Sequence, residues 1–331
     1  MLSAQRRCTF MPLLLPEEHL MSALCRGLKL GIANDWRELV PEAEIERSDL
    51  CPGHVLRPLY AAATSQYHGI PFDNIILKHT LWRYFRSFLP TYDGCVPPKH
   101  HWDRHYNHRQ VLHPIKQVRY RQAKQWRWCA ACARDECQEY GITFWHVEHQ
   151  VPGLFYCHKH TEQRLYGTCS HCGYQINDLS KVPISFLLES SCHICKQEFV
   201  PQQALPEHPL LNWIAKVSHQ LLSGATFNIE LARLLIFDKL EIDPYVKKTV
   251  AGAKAVTRAR RNIDGSLPLE VINCLFQAMD NQDFKPSDRV IPLDIGLLYK
   301  RDSFVHPLSW LVLAWVTLSD EEVLHKLIDN S

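Results

Sequence analysis

Eight thiol and imidazole side chains stand in two consecutive blocks: Cys129-x2-Cys132-x24-Cys157-x2-His160, then Cys169-x2-Cys172-x19-Cys192-x2-Cys195. A tetrahedral zinc ion requires four soft or borderline donors converging on one point. A two-residue gap lets a tight turn aim two donors at one ion, and a long spacer brings the second pair back to close the set. One such pair is a weak signal; four in order with the same internal gap are a strong one. Three thiolates with one imidazole, or four thiolates, already fill the coordination sphere, whereas catalytic zinc keeps a position for water. Two structural Zn2+ ions are therefore expected, holding a segment with too little apolar sequence to fold alone. Serine in place of Cys132 or Cys172 should then unfold that segment.

Other uses of paired cysteines fit less well. Disulfides belong to oxidising compartments. The opening MLSAQRRCTFMPLLLPEEHL is interrupted by Pro12 and Pro16 and ends in Glu17-Glu18, which does not read as a secretory signal. Redox CxxC motifs usually come singly, beside a βαβ pattern not found here. Cys137 lies inside the first block, but its separation from Cys132 makes it the poorer ligand.

Composition sets further limits. With 331 residues and 46% hydrophobic content, two or three domains with real cores are expected. A net charge of +2 excludes a histone-like polycation. Thirteen cysteines, seven of them assigned to metal beside His160, point to a reducing, cytoplasmic setting. Cys8, Cys25, Cys51, Cys95 and Cys274 are scattered and read as small buried hydrophobes. The most apolar run, Trp310 to Leu318, is about half the length of a membrane span.

The fold expected to position the ligands is mainly α, with helical N- and C-terminal regions around a central tandem zinc-ribbon-like segment. The divisions fall at 1–125, 126–200 and 201–331. In the first, Pro16 suits a helix first turn, Glu17 and Glu18 suit its positive end, and Leu20, Leu24 and Leu28 form one stripe. Helices are also expected over Val55 to Tyr67 and Thr80 to Leu89, the latter stopped by Pro90. Around the knuckles, Phe144 to Val147 and Gly153 to Tyr156 have strand-like character. Past a Pro- and Gln-rich hinge, helices are expected over Pro209 to Leu222, over Phe227 to Leu240 and after His306-Pro307. A capping box, Ser319 to Glu322, should open a last short helix.

Between Lys99 and Arg127 there are eight Lys or Arg and one acid, Asp103, interleaved with aromatics and histidines. Alternating cations and aromatics suit phosphates, sugars and bases. The candidate contacts are Lys99, Arg104, Arg109, Lys116, Arg119, Arg121, Lys124 and Arg127. A second patch, Lys247, Lys248, Lys254, Arg258, Arg260 and Arg261, contains no acid, and in a helix Lys247, Lys254, Arg258 and Arg261 share a face. Against both stands the ordinary reading of a charge run as a solvated face.

The sequence bridging the first block carries a family resemblance. Cys129-Ala-Ala-Cys132 is followed by Tyr140-Gly141, Phe144-Trp145-His146, His149-Gln150, Pro152-Gly153 and Cys157-His-Lys-His160. This resembles the signature of the TniQ/TnsD family of transposon target-site selection proteins, in which a CPxC knuckle leads through a YGxxYWxxxHQLPG-like strand to a CxxH closure. Pro16 to Arg26, His79-Thr80-Leu81 with Tyr84 and Phe85, and His306-Pro307-Leu308 also look like segments of that family. Ala130 replaces the customary proline, which is harmless to metal binding. The chain is shorter than TnsD proteins with their extra DNA-reading region, which favours a short TniQ or a truncated TnsD.

The resemblance implies a non-enzymatic adaptor in a bacterial cytoplasm. One surface would engage target DNA or a CRISPR Cascade-type effector with its guide RNA. Another would recruit an AAA+ ATPase regulator of the TnsC class, and so the transposase. A homodimer is implied by analogy with the CRISPR-associated members. Trp145, His149 and Gln150 would pack and hydrogen-bond the knuckles, with no chemistry assigned. The alternative is a sequence-specific, zinc-containing DNA-binding protein, either a TnsD-like attachment-site binder or a transcriptional regulator with a helix-turn-helix among its flanking helices. A zinc deaminase is disfavoured, because His146-Val147-Glu148 is followed by no PCxxC.

Overall fold

The computed structural model of the chain describes residues 11–32, 36–40, 52, 58–89, 125–183, 186–188, 191–198, 205–243, 254, 257–258, 262–263, 265–276, 298–299 and 305–329. Among these residues the protein is mainly helical, as expected, and it divides into two compact units. The first unit holds the described residues up to Trp82 together with those from 125 to 198; the second holds Arg83–Leu89 and the described residues from 205 onward. The N-terminal helices and the cysteine-rich segment thus belong to one unit.

The first unit contains α1 (Leu20–Lys29), α2 (Trp36–Leu39), α3 (Pro58–His68), α4 (Phe72–His79) and α6 (Ala130–Tyr140), while α5 (Trp82–Phe85) starts at its edge and continues in the second. Helix α1 begins later than expected. His19 is its N-cap, with Nδ1 accepting the Met21 N–H at 3.2 Å, and Glu17 before it has φ 61°. The reason is Glu18, which is fully buried. Its carboxylate accepts from the Leu15 N–H (3.1 Å), Ser22 Oγ (3.0 Å) and Arg26 (2.7 and 3.2 Å). Such convergence offsets part of the cost of burying the carboxylate, although burial still raises its pKa, and the chain before Leu20 leaves the helical path to make these bonds.

The helix expected over Thr80 to Leu89 is broken. Thr80 is extended, and its hydroxyl donates to the Ile76 carbonyl (2.6 Å) while accepting the Trp82 N–H (3.2 Å), so a side chain replaces helix bonds. Short α5 and a 3-10 turn, Arg86–Phe88, follow. The strands expected over Phe144 to Val147 and Gly153 to Tyr156 are reduced to single bridges, Glu18 to His146 and Tyr156 to Arg164. A 3-10 turn at Glu148–Gln150 and the left-handed Gly153 (φ 91°) interrupt any longer extended run.

The second unit is built on α7 (Pro209–Ser223), α8 (Ile229–Lys239), α9 (Leu269–Leu275), α10 (Pro307–Leu318) and α11 (Glu321–His325). Thr226–Phe227 (β1) pairs antiparallel with Ile328–Asp329 (β2). Helix α10 is buried over nearly its whole circumference and packs against α7, α8 and α11, which is why Trp310 to Leu318 is so apolar. Among the described residues no helix is long and apolar enough to cross a membrane. Both α7 and α10 open with His-Pro-Leu: His208 Nδ1 accepts the Leu210 N–H at 3.3 Å and His306 Nδ1 the Leu308 N–H at 3.1 Å. Each histidine satisfies a first-turn donor, and the proline supplies a preset φ where no donor is needed. The last helix is capped by Asp320, whose carboxylate accepts from the Glu322 and Val323 N–H groups, and not by Ser319. Ser319 is instead left-handed (φ 54°) and closes α10.

Candidate metal centres

All eight predicted ligands come together, in the two sets of four that their order implied. Cys129, Cys132, Cys157 and His160 present one donor atom each within 4.8 Å of one another, and so do Cys169, Cys172, Cys192 and Cys195. In the first set, Cys132 Sγ stands 3.4 Å from both Cys157 Sγ and His160 Nδ1, and Cys129 and Cys157 each stand 3.7 Å from that nitrogen. In the second, Cys169–Cys195 and Cys172–Cys192 are 3.7 and 3.8 Å apart. Zinc bonds of about 2.3 Å to sulfur and 2.0–2.1 Å to nitrogen put tetrahedral donors roughly 3.5–3.8 Å apart, whereas a disulfide needs about 2.05 Å. All eight thus occupy positions that could hold two metal ions, consistent with zinc, and all seven cysteines among them are free thiols.

The thiols of the first set cannot be independent at this spacing. Hydrogen bonds from Cys129 and Cys132 hold Cys157 far below the ordinary thiol range, while Cys129 and Cys157 drive Cys132 far above it. Only a bound cation allows all three to be thiolates together. In the second set burial raises Cys169, but the backbone N–H groups of Cys172 and His171 outweigh it and bring the thiol to about 7.

Local backbone explains the aim of each pair. Cys129 is the N-cap of α6 and Cys132 lies in its first turn, so the positive helix end faces the sulfurs. Cys157 and His160 flank a turn closed by Gln163 N–H to the His160 carbonyl (2.7 Å) and Cys157 N–H to the Gln163 carbonyl (2.9 Å). The second set uses two matching knuckles. Cys169 N–H bonds the Tyr174 carbonyl and Gly173 N–H returns to Cys169; Cys192 N–H bonds Gln197 and Lys196 N–H returns to Cys192. Each turn ends left-handed, at Gly173 (φ 71°) and Lys196 (φ 60°). Glycine takes that conformation freely and lysine does not.

Several supporting residues were not anticipated. Asp135 Oδ2 lies 3.0 Å from His160 Nε2, the carboxylate partner that orients a ligating imidazole. It follows Cys132 by three residues on α6, which is the one signal that could have found it. His146 is gripped at both nitrogens, by Glu136 at Nε2 and by Glu17 at Nδ1 (3.4 Å). Burial alone would push this imidazole down, but Glu136 and Glu17 carry it up to about 9. His146 in turn lowers Glu17 to about 2 against partial burial, helped by Lys159 at 2.6 Å. Glu136 also accepts the Phe144 N–H at 3.0 Å. These pairs tie the segment before α1 to α6 and to the turn carrying His160.

Residues of the motif that bridges the first block pack and hydrogen-bond around the first cluster. Gln150 accepts the Arg127 N–H (2.9 Å) and donates to the carbonyls of Arg127 (2.8 Å) and His146 (2.9 Å). The Trp145 carbonyl accepts the His19 N–H at 2.7 Å, and the indole packs edge-on against Trp126 and Trp128. His149 is wholly buried and burial lowers it to about 4. His79 of the His-Thr-Leu segment is also lowered by burial, and its Nδ1 meets the Glu18 carbonyl at 2.7 Å. Cys137 is on α6 and joins neither set.

The nucleic-acid candidates fare differently. Arg127 is a correction: it is buried, and its guanidinium donates to the carbonyls of Leu154 and Val151 (2.7 Å to the latter). With its charge committed to closing the loop between the first ligand pairs, it has no surface to offer phosphate. Lys254 and Arg258 are helical and exposed, and Arg258 lies 3.4 Å from Glu241. Lys99, Arg104, Arg109, Lys116, Arg119, Arg121, Lys124, Lys247, Lys248, Arg260 and Arg261 lie outside the described residues.

Compared with known proteins, the chain matches no protein-family model, and no curated protein matches it either.

Proposed function

We propose that the protein is a non-enzymatic target-site selection adaptor for DNA transposition, of the TniQ/TnsD kind. Its two cysteine clusters would each hold a structural Zn2+ ion in a zinc-ribbon-like segment. The observation that supports the reading is that residues of the resembling motif build a frame around the first cluster. Trp145, His146 and Gln150 bond the start of α1, α6 and the segment at Arg127 to one another. The four-donor sets need no water to be complete. Such a frame suits a docking scaffold between target DNA, or a Cascade-type effector with its guide RNA, and an AAA+ ATPase of the TnsC class, with a homodimer as its working form.

The test is reconstitution of the complex. The full chain, purified with two bound zinc ions, should capture a TnsC-class ATPase encoded beside it, and should direct that ATPase to target DNA or to an RNA-guided effector. Absence of transposase and ATPase genes from its neighbourhood, with no ATPase captured, would refute the adaptor. The alternative, a sequence-specific zinc-containing DNA-binding protein, draws on the exposed Lys254 and Arg258. Duplex binding that prefers one sequence and persists at about 200 mM salt would favour it, since a purely electrostatic footprint fades steeply with salt.

A further inference from the structure

The first cluster has one donor more than four-coordination uses. His149 brings a second imidazole to the same sulfurs from the protein interior: its Nε2 lies 4.0 Å from Cys132 Sγ. His149, Cys157 and His158 also present donor atoms within 4.8 Å of one another. The ring is 1% exposed, and its Nδ1 is buried with no hydrogen-bond partner among the described residues. An apolar side chain would fill this space without that desolvation cost, so the imidazole needs a use that offsets it. His160 is the opposite case, since its side chain is 27% exposed and leans on Asp135, itself 65% exposed. A pair at the surface is held weakly and can be drawn away.

We propose that His149 is a reserve ligand of the first centre: three thiolates hold the ion throughout, and the fourth place belongs to outer His160 or, when His160 is withdrawn, to inner His149. This rests on the metal reading of that cluster. The ranking of the two rings follows from their other nitrogens. A ligating histidine is strengthened when its second N–H meets an acceptor; His160 has Asp135 and His149 has none, so His160 ligates first. The arrangement lets the Cys157–His160 turn be remodelled at the surface without loss of the ion, leaving His160 and Asp135 for a partner.

The experiment uses the full chain loaded with an NMR-active cadmium isotope and nitrogen-labelled histidine, so that metal–nitrogen coupling identifies the ligating ring. In the wild type, Nδ1 of His160 should couple. In His160→Ala the coupling should pass to Nε2 of His149, with affinity falling about tenfold, and adding His149→Gln should cost a further hundredfold or so, far beyond the effect of His149→Gln alone. Retention of cadmium in His160→Ala with no coupled nitrogen would overturn the inference. So would losses that simply multiply, because His149 would then be only an N–H donor to sulfur. Should His160→Ala fail to fold, Asp135→Ala keeps every ligand in place. Zinc release from it to a chelator should be no more than about threefold faster than wild type, and more than about tenfold faster once His149→Gln is added. Equal rates with and without His149→Gln would refute the reserve role. Wild-type protein with two ions but no contribution from His149 sinks this inference alone; wild-type protein with no ion sinks the metal reading as well.

Discussion

The two cysteine clusters share a spacing and little else. The first is embedded: Cys129, Cys132 and Cys157 are each at most 3% exposed, its first ligand pair starts a helix, and its motif packs against a box of Trp126, Trp128, Trp145 and Phe186. The second stands on two hairpin knuckles in which Cys169 and Cys192 are buried but Cys172 is exposed and Cys195 half-exposed, and most residues around its turns face solvent. The same two-residue gap within each ligand pair therefore serves two different settings. If each set holds an ion, binding at the first would be cooperative with packing, while at the second the ion would stand in for a core.

That contrast can be broken most directly by Cys132→Ser against Cys172→Ser. The first should remove on the order of several kcal/mol and melt the first unit, while the second should release one ion and unfold the knuckles around it, with α1 and α6 retained. Thermal unfolding with metal counting reads both, and equal melting by both variants would erase the distinction. Next, Arg127→Met leaves the carbonyls of Leu154 and Val151 without their donor and should cost about 2–3 kcal/mol. If the protein binds DNA, that affinity should stay at the wild-type value, because the guanidinium is buried.

The charged grip on His146 offers a pH test that only the first cluster should pass. Its pKa is raised to about 9 in the folded state. The associated stability is therefore full below the unfolded value of about 6.5 and is lost as pH rises through about 9, amounting to about 3 kcal/mol. His146→Gln should flatten the slope of stability over that window in denaturant titrations, and an unchanged slope would place the protonated ring elsewhere. Exposure gives a kinetic version of the comparison. A chelator or thiol oxidant should take the ion of the second cluster at least about tenfold faster than that of the first, with Cys172 modified earliest in mass spectra. The smallest effect is expected at Lys196, left-handed where the matching knuckle has Gly173. Lys196→Gly should stabilise the second cluster by a few tenths to about 1 kcal/mol, and Gly173→Ala should destabilise it by a similar amount.

Much of this was legible in the chain. The ligand pairs carry their own geometry, because a two-residue gap permits little but a shared target. The helix starts at Pro209 and Pro307 were readable because proline and the residue before it act locally. Other features turned on partners far away in sequence. Glu17 and Glu18 look like ordinary acids of a helix start, yet Glu17 pairs with distant His146 and Lys159, and the Glu18 backbone carbonyl meets His79. Phe144 to Val147 has strand composition, but among the described residues it gains only the single bridge to Glu18, and its aromatics are buried. Arg127 looked like the end of a basic surface run, and nothing in its neighbours announces that two carbonyls more than twenty residues away would enclose it.

By itself, then, the sequence determined which atoms could meet a metal and in which sets, since tight turns and fixed gaps are local constraints. Only the tertiary structure decided how deeply each set is buried, which charges are spent inside the protein, and that His149 stands beside sulfurs it does not adjoin in the chain. Burial and pairing depend on contacts between distant segments, and local propensity carries no information about those.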